Sequence, residues 1–210
     1  MEDKVILLDF WSSSYAMRVR IALEEKGIQY EAREQNLVDK SPLLVDMNPI
    51  HKMIPVLIHN GKPTCESLVI VEYIDQVWND RSPLLPSDPY QRSQARFILM
   101  GRSYGGRKGE KQEEVKREFI AGLRALEGEL GEKVYFGGER IGFVDVALVP
   151  ISSWFYSFEK CGNFSIEKEC PKIVAWVKRC MQKKSVSKSL PDPQKIYGYV
   201  LQLKQKLGID

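Results

Sequence analysis

Histidine is almost missing from this chain: His51 and His59 are the only two in 210 residues. Cysteine is scarce as well, and Cys65, Cys161, Cys170 and Cys180 form no C-x-x-C pair and no zinc-ligand spacing. These shortages argue against a metal centre. Four thiols in a chain this long need no disulfide framework, so a reduced, cytoplasmic setting is the expectation. No apolar run approaches the roughly 18–20 residues of a membrane span. The opening Met1-Glu2-Asp3-Lys4 leads straight into an apolar run, without the regions of a secretion signal. Excess charge is missing too: 31 basic against 28 acidic residues leave +3, too weak a field to single out nucleic acid or a membrane surface. The nearest thing to a basic patch, Lys178, Arg179, Lys183, Lys184 and Lys188, has no interleaved aromatics and reads as a solvated face.

What is present begins with residues 5–23. Val5-Ile6-Leu7-Leu8 has the unbroken apolar pattern of a strand buried on both faces. Phe10-Trp11-Ser12-Ser13-Ser14 follows as a turn, and then Val19, Ala22 and Leu23 recur at helical spacing. A serine at such a strand-to-helix junction can cap the helix while its hydroxyl faces a cleft. The free N–H groups there and the positive end of the helix dipole favour an anion, and a thiolate is one such anion.

Beyond Lys26-Gly27, a helix end with glycine at the cap, residues 29–35 read as a second strand and 41–48 as a short irregular helix. Residues 54–59 and 62–65 flank Asn60-Gly61, a strong hairpin signal. Ser67 reads as the N-cap of a helix to about Trp78, with Leu68, Val71, Ile74 and Val77 on one stripe. Three prolines between Ser82 and Pro89 exclude helix and central strand. After Asp88-Pro89, an N-cap with proline at the first helical position, everything reads helical. Residues 111–130 carry Val115, Phe119, Leu123, Leu126 and Leu130 on one face. Residues 143–158 hold a single charge, Asp145, and read as a central buried helix kinked at Pro150. Further helices are expected over 171–182 and 192–207. The fold class is α/β plus all-α: a small mixed-sheet domain over 1–79, a linker over 80–89 and a helical domain over 90–210.

With these elements in order, the chain resembles the plant tau-class glutathione transferases. The matching segments include residues 5–11, 18–23, Lys40-Ser41-Pro42-Leu43-Leu44, Asn48-Pro49-Ile50-His51-Lys52, 54–63, Glu66-Ser67-Leu68-Val69-Ile70, 72–75, 82–90, 135–138 and 142–150. The resemblance implies a thioredoxin-like domain followed by a helical domain. It also implies conjugation of glutathione, as co-substrate, to hydrophobic electrophilic small molecules in detoxification or stress response, with no further cofactor. Ser13 is implied as the catalytic residue, donating a hydrogen bond to the glutathione sulfur. Glu66 and Ser67 are implied at the γ-glutamyl end, Ile54 and a cis Pro55 along the cysteinyl part, and Lys40 and Lys52 near the glycyl carboxylate. Trp11, Tyr15, Trp154 and Leu207 are candidates for the acceptor site. A homodimer is implied, with Tyr73, Arg92 and Arg96 on the helices that meet.

Three departures accompany these matches. Ser14 stands where the family usually has proline, and Met53 where it usually has a second lysine, so weaker glutathione affinity is expected. The segment after Arg96-Phe97 runs through four glycines within 101–109, which cannot sustain a helix. A mobile loop and an open acceptor wall are expected there, with residues 89–100 left to carry the dimer contact. The alternative is a catalytically weak binder of glutathione conjugates. A thiol oxidoreductase fits poorly, because serine occupies the position that would need cysteine.

Overall fold

The computed structural model describes residues 3–99 and 112–208; the glycine-rich run 101–109 lies outside them. The apolar run expected to be a buried strand is one. β1 (Val5–Asp9) lies inside a four-stranded sheet of order β2-β1-β3-β4, and all five of its residues are buried. β2 (Glu31–Glu34) pairs parallel to it; β3 (Val56–His59) pairs antiparallel and joins β4 (Lys62–Cys65) in a hairpin. Asn60 and Gly61 both take positive φ, 51° and 81°, as the tight hairpin turn requires. Strand alternation divides the core. Ile6, Leu8, Val56 and Ile58 pack with Leu44 of α2 (Pro42–Met47). Val5, Leu7 and Leu57 join the other face, with α1 (Ser14–Lys26) and α3 (Ser67–Val77). β2 is shorter than the expected 29–35. Gln35 still donates its N–H to the Asp9 carbonyl at 2.8 Å, but its side chain folds back on the Arg33 carbonyl.

The expected N-cap of α3 is corrected. Glu66, at φ 68°, occupies that position without a side-chain bond, and Ser67 is the first helical residue. The left-handed turn at Glu66 redirects the chain one residue earlier and frees the Ser67 hydroxyl for another partner.

Past the proline-rich stretch the structure is helical: α4 (Pro89–Phe97), α5 (Gln112–Leu130), α6 (Phe143–Leu148), α7 (Phe155–Gly162), α8 (Ile166–Glu169), α9 (Pro171–Met181), α10 (Lys184–Ser189) and α11 (Pro193–Leu207). Asp88 caps α4 by accepting from Gln91 N–H at 2.8 Å. The helix closes at Phe97, short of the residue 100 expected. The single kinked helix expected over 143–158 is instead α6, a 3-10 turn over Val149–Trp154 and α7. Pro150 removes a donor from the ladder. Ser152 and Ser153 donate their hydroxyls to the Val149 and Pro150 carbonyls, each at 2.7 Å, which favours the tighter winding. α8 and α10 escaped the periodicity because four and six residues are too few to show one.

Buried polar groups join the two halves. Lys26 donates to Asp75 at 2.7 Å and to the Trp78 carbonyl at 3.0 Å. Asp75 accepts from Leu84 and Leu85 N–H at 2.8 and 3.0 Å, and the Leu84 carbonyl accepts from Phe143 N–H at 2.8 Å. In the helical half, fully buried Asp145 accepts from Phe136, Gly137 and Gly142 N–H and from the Trp176 indole, at 2.8–2.9 Å. No helix among the described residues is long and apolar enough to cross a membrane.

Candidate active site

Sheet register brings the site together. Leu8 pairs with Val56, and Val56 with Cys65. The chain therefore leaves β1 into the serine turn, enters β3 from Pro55 and leaves β4 into Glu66, all at one end of the sheet. The Ile54–Pro55 bond is cis, and Ile54 lies just outside the ladder.

At this end the serines separate. Ser12 is buried, while Ser13 and Ser14 are partly exposed. Ser13 is the N-cap of α1: its Oγ accepts from Ala16 N–H at 3.2 Å, and its own N–H donates to the Phe10 carbonyl at 3.0 Å. An oxygen engaged as acceptor leaves the hydroxyl proton as what Ser13 offers a ligand. The first free amides of α1 and its dipole lie beside that proton.

Sequence reasoning passed over Arg18, which binds the pieces together. Its Nη1 donates to Ser67 Oγ at 3.1 Å and its Nε to the Ala147 carbonyl of α6 at 2.8 Å. Its guanidinium lies 5.0 Å from the centre of the Tyr15 ring, and burial lowers its pKa. Asn48, also missed, is buried and clamps the next loop. Its carbonyl and side-chain oxygens accept from Lys52 and His51 N–H at 2.8 and 3.2 Å, and its amide donates to the Met53 carbonyl at 3.0 Å. Lys52 and Met53 themselves are exposed, Lys40 is half-buried and Glu66 exposed. The available signal was polarity out of place: two arginines within the apolar start of a helix, and an asparagine just before a proline.

On the helical side, Trp11 meets Tyr199 of α11 edge-on at 5.5 Å, with the Lys195 ammonium 4.6 Å from the centre of the Trp11 ring. Trp154 ends the 3-10 turn, stacks with Phe158 at 6.4 Å, and buries an indole N–H that finds no acceptor among the described residues. Tyr15 is 60% exposed on the first turn of α1. Leu207 is 69% exposed, about 12 Å along α11 from Tyr199. It is thus Tyr199, not Leu207, that the structure brings against the serine turn.

Cys65, Cys170 and Cys180 offer no substitute for Ser13. Burial raises the thiol pKa of Cys65, pushes Cys170 up to about 11 and raises Cys180 as well. Among the described residues no group of His, Cys, Asp and Glu could hold a metal ion.

A thioredoxin-like sheet, a serine-capped helix N-terminus of the kind that favours an anion, and a helical half packed against them define the class of fold. Family models make the definition specific. "Glutathione S-transferase, N-terminal domain" matches residues 3–76 and "Glutathione S-transferase, C-terminal domain" matches 89–184. The chain is 65% identical to "Probable glutathione S-transferase parA" of Nicotiana tabacum, over 99% of this chain and 98% of that one. It is 57% identical to Glutathione S-transferase U25 of Arabidopsis thaliana, over 100% and 99%. Among solved structures, rice OsGSTU1 in complex with glutathione superposes with a TM-score of 0.92 at 44% identity, covering 100% of both chains. The tau-class enzyme MiGSTU from mango superposes with 0.85 at 36% identity, covering 95% and 98%. The chain belongs to the glutathione S-transferase family, in its plant tau class. The alignment with the tobacco relative spans 216 positions against 210 residues here, so at least six of its positions have no counterpart in this chain.

Proposed function

We propose that this transferase joins the thiolate of glutathione to electrophilic, apolar small molecules in the cytoplasm, as part of detoxification or stress response. Glutathione is the co-substrate and no further cofactor takes part. The observation that carries the reading is the Ser13 cap: a hydroxyl whose oxygen is already engaged, at the positive end of a helix. Donation from Ser13 to sulfur, with the helix dipole behind it, favours thiolate over thiol, and each pKa unit of that preference is worth about 1.4 kcal/mol. Glu66 and Ser67 receive the γ-glutamyl end, the Ile54 backbone beside Pro55 pairs with the cysteinyl part, and Lys40 and Lys52 face the glycyl carboxylate near Met53. Trp11, Tyr15 and Trp154 border the acceptor, joined by Tyr199 in place of Leu207. The thiolate attacks the electrophilic carbon, the carbon–sulfur bond forms, and the leaving group departs with the displaced electron pair.

The same reading places the glutathione domain at 1–79, the linker at 80–89 and the helical domain at 90–210, and pairs two chains into a homodimer through α3 and α4. Arg96 is there held bidentately by Glu72 at 2.8 and 2.6 Å, with Val69, Tyr90 and Phe97 exposed nearby on the same two helices. The weak-binder alternative is not favoured. Conjugation of glutathione to a generic aryl halide, measured beside calorimetric glutathione binding, tests the assignment. Tight binding without turnover would overturn it.

A further inference from the structure

Beneath the serine turn lies a pair of charges that the reaction as described does not use. Asp9 is the last residue of β1 and is 6% exposed. One carboxylate oxygen accepts from Phe10 N–H at 2.6 Å; the other lies 3.5 Å from Nε of Arg20. Arg20 sits on the second turn of α1, and its side chain reaches back past the start of its own helix. There Nη2 donates to the Trp11 carbonyl at 3.0 Å. Its buried Nε makes no hydrogen bond among the described residues and meets the Asp9 carboxylate only at ion-pair distance.

The Arg20 bond adds to the turn's other ties, the Ser13 Oγ cap on Ala16 N–H and the Trp11–Tyr199 ring contact. Phe10 receives Ser13 N–H through its carbonyl, and Trp11 is held through its carbonyl by Arg20. Burial raises the Asp9 carboxyl, while the Arg20 guanidinium and the Phe10 N–H pull it down. Glu34 and the Tyr30 hydroxyl are the other titratable groups facing the pair. Two charges held at this desolvation cost tie the end of a strand, the turn and the helix into one piece.

We propose that Asp9 and Arg20 are positioning residues for thiol activation: they hold Phe10 and Trp11 so that the Ser13 hydroxyl and the first amides of α1 meet the glutathione sulfur. The inference rests on the reading of this turn as the thiolate site. Neither side chain touches the ligand; each acts through the backbone it holds. A loosened turn loses thiolate preference before it loses peptide affinity, because the γ-glutamyl and glycyl contacts lie on other loops.

The test titrates the ultraviolet absorbance of the bound thiolate in the full-length protein. Arg20→Met keeps the aliphatic stem and removes every donor. It should raise the pKa of bound glutathione by about one unit, a tenfold loss of thiolate below that pKa. Affinity for S-methylglutathione, which has no thiol to activate, should stay within about twofold. Arg20→Lys, with a donor for the Trp11 carbonyl, should recover part of the shift. Asp9→Asn, which keeps the acceptor for Phe10 N–H and loses the charge, should show a smaller rise. A purely structural role lowers the melting temperature and leaves the pKa where it was, and that result overturns the inference. Ser13→Ala, run beside these, separates the two layers. If it raises the pKa while Arg20→Met does not, only the positioning role falls. If neither moves it, the thiolate reading of the turn falls with it. Should Arg20→Met fail to fold, an unmoved pKa in both Arg20→Lys and Asp9→Asn overturns the proposal equally.

Discussion

On the sheet side of the cleft, the backbone at Phe10, Trp11 and Ser13 is tied by named hydrogen bonds, and Ser67 is reached by Arg18. On the helical side, Trp154 and Tyr199 are held by ring packing, and the buried Trp154 indole N–H has no acceptor among the described residues. The difference matches what each wall would have to recognise under the proposed function. A thiolate on a fixed peptide needs donors preorganised to fractions of an ångström, since a donor that must reorganise contributes little to charge stabilisation. Varied apolar acceptors are better served by ring faces, whose attraction is broad and non-directional.

The sharpest break in the comparison is to loosen the helical wall from a distance. Asp145→Ala leaves three backbone N–H groups and the Trp176 indole without an acceptor inside the core. We expect a loss of about 4 kcal/mol or more, read by denaturant unfolding, at roughly 1 kcal/mol or more per stranded donor. A loss under about 1 kcal/mol would show that water reaches these groups.

Next in size is Ser13→Ala. Turnover should fall about 10²–10³-fold, as for removal of a preorganised donor elsewhere, while the lost helix cap costs only about 0.5–2 kcal/mol of stability. The pH–rate profile should shift to higher pH, because a thiol with fewer donors holds its proton longer. If Ser12→Ala or Ser14→Ala costs as much and Ser13→Ala is silent, the turn works in a different register.

Trp154→Phe asks whether the helical wall is apolar only. The ring survives and the unpaired N–H goes, so stability should change by less than about 1 kcal/mol. If the indole donates to acceptors, kcat/KM should fall about 3–10-fold for a nitro- or carbonyl-bearing electrophile and stay level for a plain halide. Equal effects on both would return Trp154 to simple packing.

The smallest effect is expected from Met53→Lys on the sheet wall. Met53 is 60% exposed, so a charge placed there is screened. A gain in glutathione affinity of about 0.2–1 kcal/mol follows, shrinking with salt, as calorimetry at two ionic strengths would read. Unchanged affinity at low salt would mean that Lys40 or Lys52 already fills the role.

Much of the sheet wall was legible in residue order because its signals are local. A buried strand ending in a serine turn, Asn60-Gly61 in a hairpin and Gly27 at a helix end each follow from a few neighbouring residues. The slips there were small and physical. Ser67 looked like a cap because serine usually is one, yet the left-handed Glu66 took the place and gave the hydroxyl to Arg18. Pro150 looked like a kink, and two serine hydroxyls turned it into a 3-10 segment.

By itself, then, the sequence determined the order of strands and helices, the two-part division and the placing of a serine at a helix N-terminus, because dihedral preference, capping and hydrophobic period act over neighbouring residues. Tertiary structure alone decided that Arg18 would join Ser67 to Ala147, that Arg20 would reach back to the Trp11 carbonyl, and that Tyr199 rather than Leu207 would meet Trp11. Those contacts join residues 9 to 188 positions apart in the chain. Partners so far apart are selected by which faces the packed elements present to one another, and no local pattern records that choice.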